Sequence, residues 1–296
     1  MSINNKFNFK LGLPRVFVVL VGLIIFYSIF IRAQGLGYSN FQGDEVNPMD
    51  FLYEMESGLG GLWDYLSNQK RGPAQYVINI INVALFGYHG EGFIRLPFLL
   101  FGAIGIFTLY RLARKIFDND VAFITVAFIS INGLFIAFAR ITQYQAFMYF
   151  LIPIGVYLFI SGLQKSSTKK LFYSGMVMSL ALLAHYDTLS VTPFFIASFV
   201  GYYWRRIKDF NYRLVLKQVS VFFLSFLVPA ALYYVPFLMG DYFDKSTSGY
   251  LENRLLGGGF MPRTKITLKL LRMYIPEFHI YTLFLLGLFG ILMKSI

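Results

Sequence analysis

Gly43-Asp44-Glu45 sets two adjacent carboxylates shortly after the first long apolar run. Adjacent carboxylates suit a general base or a metal ligand, because one can be held ionised by its partners while the other orients it. The same dipeptide also solvates ordinary loops. Further polar groups come in short clusters: Lys70 and Arg71, then His89, Glu91 and Arg95, then Arg140 with Gln143, Tyr144 and Gln145, then His185, Tyr186 and Asp187. Arginine and lysine match phosphate oxygens, so these clusters could hold a phosphorylated substrate. Each also has a plainer reading. Arg140 can mark a helix end by snorkelling, His185 can be a satisfied helix-end histidine, and Asp187 can cap a helix.

The elements that must position these groups are set by composition. With 57% apolar residues, 19% aromatics and only 14% charged residues, the chain does not suit a water-exposed surface and reads as a membrane protein. The absence of cysteine excludes disulfide scaffolds, thiolate zinc sites, iron–sulfur clusters and cysteine nucleophiles. Three histidines do not make a histidine-rich metal cage. The net charge of +11 lies between apolar runs, where it orients loops in a bilayer, so nucleic acid is not expected as a partner.

Apolar stretches run over Val16–Ile31, Leu96–Tyr110, Val121–Ala139, Ile141–Gln164, Leu171–Tyr186, Thr188–Trp204, Gln218–Gly240 and Ile280–Met293. They predict an all-α polytopic membrane protein with about eight transmembrane helices, since a crossing takes about 20 residues. Gly72–Tyr88 is long enough to cross but carries Pro73, Gln75, Asn79, Asn82 and Gly87, and is expected to be interfacial or re-entrant. Loop charge supports that reading. If the stretch does not cross, the basic clusters Lys6–Arg15, Arg111–Lys115, Lys165–Lys170 and Arg205–Lys217 all fall on the cytoplasmic side, and twelve of the fifteen acids fall outside. The N-terminus is then inside, and the first run is a retained anchor rather than a cleaved signal.

A single transmembrane domain over residues 1–296 follows, with outer loops at 33–95 and 241–279. The last run ends close to Ile296, so the chain is also read as an N-terminal portion of a longer protein. Asn47-Pro48 is expected to open a helix whose apolar face is Met49, Phe51, Leu52 and Met55, broken at Gly58, Gly60 and Gly61. Because the turns at 140–145 and 185–187 are short and open on the same side as Asp44, the polar clusters are expected to converge on one outer cavity.

The order of these features resembles the C-type membrane glycosyltransferases, specifically the protein O-mannosyltransferases and the bacterial aminoarabinose transferases. Asp44-Glu45 resembles the family's acidic pair, and Arg71-Gly72-Pro73-Ala74-Gln75-Tyr76 sits where the family has a Pro-Pro-Leu-Tyr-like segment. Phe86-Gly87, then Phe93-Ile94-Arg95-Leu96-Pro97, is similar to the family's run into its second span, and Leu109–Phe117 resembles its basic turn. Ala139-Arg140 with Tyr144 resembles the turn before the fourth span. One proline replaces two, and Gln143 and Gln145 stand where an acid is expected.

The resemblance implies transfer of a sugar from a polyprenyl-phosphate donor to a hydroxyl of a lipid, glycan or protein acceptor at the outer face of the cell membrane. It implies Asp44 as general base, Glu45 and Glu91 as shaping residues, and Lys70, Arg71 and Arg140 on the phosphate. His89, Arg95, Tyr144, His185 and Asp187 complete the candidate substrate-binding set. No nucleotide is needed, and use of a divalent metal ion stays open. The rival readings are a multi-pass transporter or flippase, which predicts charge near helix midpoints, and a non-catalytic subunit of a glycosylation complex.

Overall fold

The computed structural model of the chain describes residues 15–41, 43–58, 61, 66, 72–204, 211–240 and 243. All lie in the first of the two units into which the chain divides, Met1–Phe243. The second expected outer loop, the apolar run Ile280–Met293, and Lys70 and Arg71 lie outside the described residues, as does the side chain of Asp44.

Every regular element among the described residues is helical. α1 spans Arg15–Ala33, α2 Val46–Glu56, α3 Ala74–Phe86, α4 Glu91–Ile116 and α5 Asn119–Ile131. α6 spans Gly133–Phe138, α7 Tyr144–Gln164, α8 Thr168–Ala184, α9 Thr192–Trp204 and α10 Tyr212–Met239. Short 3-10 turns cover Gly43–Glu45 and Tyr186–Val191.

Three of these helices, α4, α7 and α10, are long and apolar enough to cross a membrane, against the eight crossings expected. Two of the expected runs are interrupted for local reasons. Val121–Ala139 breaks at Asn132, whose backbone is extended and whose Oδ1 accepts from Leu134 N at 3.0 Å and Phe135 N at 3.3 Å. That side chain stops α5 and caps α6. Thr188–Trp204 opens as a 3-10 turn, and α9 proper begins at Thr192, leaving 13 residues. α10 starts earlier than expected, because Asn211 Oδ1 caps Leu214 N at 3.1 Å.

α3 is 13 residues, about 20 Å at 1.5 Å per residue, too short for the roughly 30 Å hydrocarbon layer. Its faces are inverted relative to a soluble helix. Gln75, Tyr76, Asn79 and Asn82 are buried, while Val77, Ile81, Leu85 and Phe86 are exposed. A polar face turned to protein and an apolar face turned outward is the arrangement that a lipid environment favours. α2 opens at Val46, one residue before the expected Asn47, with Pro48 in its first turn and Leu52 buried.

The helices pack α1 on α5, α5 on α4, α4 on α7, α7 on α8 and α8 on α10. One apolar core joins the last of these with α9. It is built on Phe159 of α7, whose ring meets Phe195, Phe199 and Phe222 at centroid separations of 4.8, 4.9 and 5.0 Å. Apolar burial gives little drive for helices to associate within lipid, so close backbone approach at small residues supplies the contact. Gly175 of α8 is the tightest example against α10: a Cβ there would lie 2.0 Å from Ser225 Oγ and 2.5 Å from the Phe222 carbonyl.

Gly175→Ala therefore forces α8 and α10 apart and is expected to destabilise by about 1–3 kcal/mol. Gly201 of α9 has nothing within 4 Å of its added Cβ, so Gly201→Ala serves as the control. Thermal unfolding in detergent should show a lowered midpoint for the first substitution and an unchanged or raised one for the second.

Candidate functional site

One end of the helix bundle gathers most of the polar residues singled out in the sequence. At its centre, Arg95 in the first turn of α4 and Glu45 in the 3-10 turn before α2 are both buried and face each other. Arg95 Nε donates to Glu45 Oε1 and Nη2 to Oε2, each at 2.9 Å, a two-pronged pairing that only a guanidinium can make. Its remaining N–H groups hold the loop after α1. Nη1 donates to the Leu36 carbonyl at 2.9 Å and the Ser39 carbonyl at 3.0 Å, and Nη2 to the Asn40 carbonyl at 3.3 Å. A guanidinium has five N–H donors, and all five are used within the chain. The same cation lies 5.3 Å from the Tyr38 ring centroid and 5.4 Å from that of Phe41.

Glu45 carries the connection onward. Its Oε1 also accepts from Thr142 N at 2.9 Å, in the turn before α7, and the Thr142 carbonyl accepts from Gln75 Nε2 of α3. In that same turn Arg140 donates to the Ile31 and Gly35 carbonyls at the C-terminal end of α1, where a cation also meets the negative end of the helix dipole. The Arg140 guanidinium lies 5.4 Å from the centroid of the Tyr38 ring, which Arg95 also meets. Thus Glu45, the α1 end, the α7 start and α3 are joined by these contacts, and Asp44 precedes Glu45 in the same 3-10 turn.

A second group adjoins α3. His185 at the end of α8 is buried, stacks on Tyr144 at 3.9 Å with an interplanar angle of 11°, and lies 4.1 Å from the Tyr186 ring. Its Nδ1 accepts from Asp187 N at 3.0 Å and stands 3.1 Å from the exposed Asp187 carboxylate. Asp187 sits in the 3-10 turn rather than capping α9. Gly72, next to Arg71, packs on the end of α8: a Cβ would stand 2.0 Å from the Leu183 carbonyl and 3.0 Å from the Ala184 carbonyl carbon. Only glycine fits there. α10 closes this side, with Tyr233 and Tyr234 hydroxyls donating to the Leu66 carbonyl at 2.7 Å and the Leu182 carbonyl at 2.8 Å.

His89 and Glu91 occupy the link between α3 and α4. His89 meets Phe93 edge-on at 5.2 Å, and Glu91 opens α4, where a carboxylate suits the helix dipole. Tyr88 beside them titrates above the ordinary tyrosine value, through desolvation first and the Glu91 carboxylate second. The described contacts do not join His89 or Glu91 to Glu45. Among the described residues, no three His, Asp or Glu side chains cluster as metal ligands.

Sequence reasoning passed over four participants. Arg32 of α1 is 1% exposed and donates from Nη1 to the Ser28 and Ser130 carbonyls at 3.0 and 3.1 Å; it reads in sequence as the boundary of an apolar run. Tyr38 and Thr142 carry no sequence signal. Gln75 does: with Asn79 and Asn82 it repeats at helical spacing, which places all three amides on one face.

Residues 70–235, more than half of the chain, match the dolichyl-phosphate-mannose-protein mannosyltransferase family. The chain belongs to this family, as the resemblance implied, and is a glycosyltransferase of the membrane. The matched residues run from α3 through most of α10, so the core, the 140–144 turn and the His185 group all lie inside them. No curated protein matches the chain.

Arg95→Lys keeps the charge but not the fork. It leaves Glu45 or one of the loop carbonyls unmet, and damage to a buried pair costs about 3–5 kcal/mol. The variant should unfold at a lower temperature, and limited proteolysis should cut more readily at residues 35–42. Unchanged values on both counts would show that the pair does not hold the loop.

Proposed function

We propose that the chain moves a glycosyl group from a polyprenyl-phosphate sugar to an acceptor hydroxyl, at the outer face of the cell membrane with the N-terminus cytoplasmic. Family membership supplies the class of reaction. The observation that carries the reading further is the buried Glu45–Arg95 pair, which ties Glu45, the neighbour of Asp44 in the same 3-10 turn, to the turn that leads into α7. In this reading Asp44 takes the proton of the acceptor hydroxyl as its oxygen attacks the anomeric carbon. The bond from that carbon to the phosphate oxygen breaks, and polyprenyl phosphate leaves with the electron pair.

The leaving phosphate gains negative charge in the transition state and needs cations already in place. Arg140 stands at the end of α1, and Lys70 and Arg71, which precede Gly72 in the sequence, are assigned to the phosphate with it. Arg95 is a positioning residue, because its donors are all engaged by Glu45 and the 36–40 loop. Glu45 acts with it by setting the backbone of Asp44. The Tyr144–His185–Asp187 group lines the neighbouring wall, where it can orient the substrate. The buried charges Arg32, Glu45 and Arg95 all sit at helix ends or in a loop, which suits a transferase better than a transporter with midplane charge.

Asp44→Asn removes the base while nearly preserving shape. Transfer from labelled polyprenyl-phosphate hexoses to a mixed acceptor pool should fall by about 100-fold or more, with thermal stability and donor binding retained. Full activity in this variant would falsify Asp44 as the base.

A further inference from the structure

The buried face of α3 holds three neutral amides at helical spacing, and they are not equivalent. Gln75 donates to the Thr142 carbonyl, and Asn82 Nδ2 donates to the Phe93 carbonyl at 3.2 Å. Both acceptors belong to site-bearing segments, since Thr142 N is bound by Glu45 and Phe93 lies two residues before Arg95 in α4. The outer two amides therefore tie α3 to the site. The middle one, Asn79, is 0% exposed, and neither its Oδ1 nor its Nδ2 has a hydrogen-bond partner among the described residues.

Leaving a buried acceptor and a buried donor unmet is costly, and an apolar side chain of the same shape would pack there without that penalty. Asn79 differs from the single unpaired atoms elsewhere in the described residues in having both its donor and its acceptor open to a partner from outside the chain. The face carries no charge, so it does not suit the phosphate. One carbonyl acceptor beside an NH2 donor matches a hydroxyl pair on a sugar ring, which can give one hydrogen bond and take another. Gln75 reaches the turn that holds Glu45, and Asn79 lies one helical turn, about 6 Å, further along. A pyranose linked to a phosphate beside Gly72 would lie along this stretch.

We propose that Asn79 is a specificity-determining residue that hydrogen-bonds hydroxyls of the donor sugar, admitted when the Gln75 and Asn82 ties let α3 move from its closed position. The proposal rests on the transferase reading above. It makes stability and function diverge at one residue, because the group that destabilises the closed chain is the group that recognises the ligand.

Asn79→Leu tests this in nanodiscs, with thermal unfolding, donor-induced shift of the unfolding midpoint, and transfer measured on the same preparations. Removal of the unmet amide should raise the unliganded midpoint by about 2 °C or more. The variant's kcat/KM for polyprenyl-phosphate hexose should drop by about 10-fold or more. A series of monodeoxy donors locates the contact: one deoxy sugar should slow the wild type by a similar factor and slow Asn79→Leu no further. A raised midpoint with undiminished transfer overturns the proposal, as does a lowered midpoint, which would mark Asn79 as structural. Wild-type protein that neither transfers nor is stabilised by any donor would instead remove the transferase reading, and this inference with it.

Discussion

A guanidinium and a carboxylate, both shut away from solvent, organise the polar end of this molecule. Taking each of these charges out of water is expensive, and the attraction between them offsets that loss only when geometry is good and the remaining donors and acceptors are met. Here the condition is satisfied: Arg95 meets Glu45 with two parallel bonds and the 36–40 loop with three more, while Glu45 also takes the Thr142 amide. A pair satisfied this fully makes alternative placements of the loop costly, since any of them leaves a buried charge or carbonyl unmet. Its consequence is positional: a loop of 12 residues between α1 and α2 is pinned, and with it the backbone of Asp44.

The remaining packing leaves room for that end to be polar. α7, α8, α9 and α10 share a phenylalanine-rich core, and glycines bring α8 against α10 and Gly72 against the end of α8. Since apolar side chains feel little preference between protein and lipid tails, specificity in such a bundle comes from shape and from hydrogen bonds. α3 shows both effects. Its exposed side is apolar and its buried side carries amides, so it can lie against lipid on one face and take part in the site on the other.

Part of this arrangement was readable in the sequence. The long apolar runs located α1, α4, α7 and α10, the polar interruptions at 72–88 matched a short helix with a buried amide face, and the family suggested by the order of the motifs is the one that residues 70–235 match. The interruption at Asn132 was less readable, because a single capping side chain decides there between one long helix and two short ones. Arg95 and Glu45 were both singled out, Arg95 as a substrate contact and Glu45 as a residue shaping the site; nothing local reveals that a charged residue will find its partner inside the chain. Arg32 was hidden for the opposite reason, since a cation at the end of an apolar run looks like a boundary whether it is buried or not.

Composition and run length alone determined that this chain is a helical membrane protein with its acids grouped in a few segments, because the transfer of a residue into lipid depends on its type and its near neighbours. Tertiary structure alone decided which polar residues face one another. Glu45 binds an arginine 50 positions away and an amide 97 positions away, and Arg140 closes on a carbonyl 109 positions away. Hydrogen bonds over such separations depend on how the helices pack, and packing is set by the whole set of side chains at once rather than by any motif that contains the bonded pair.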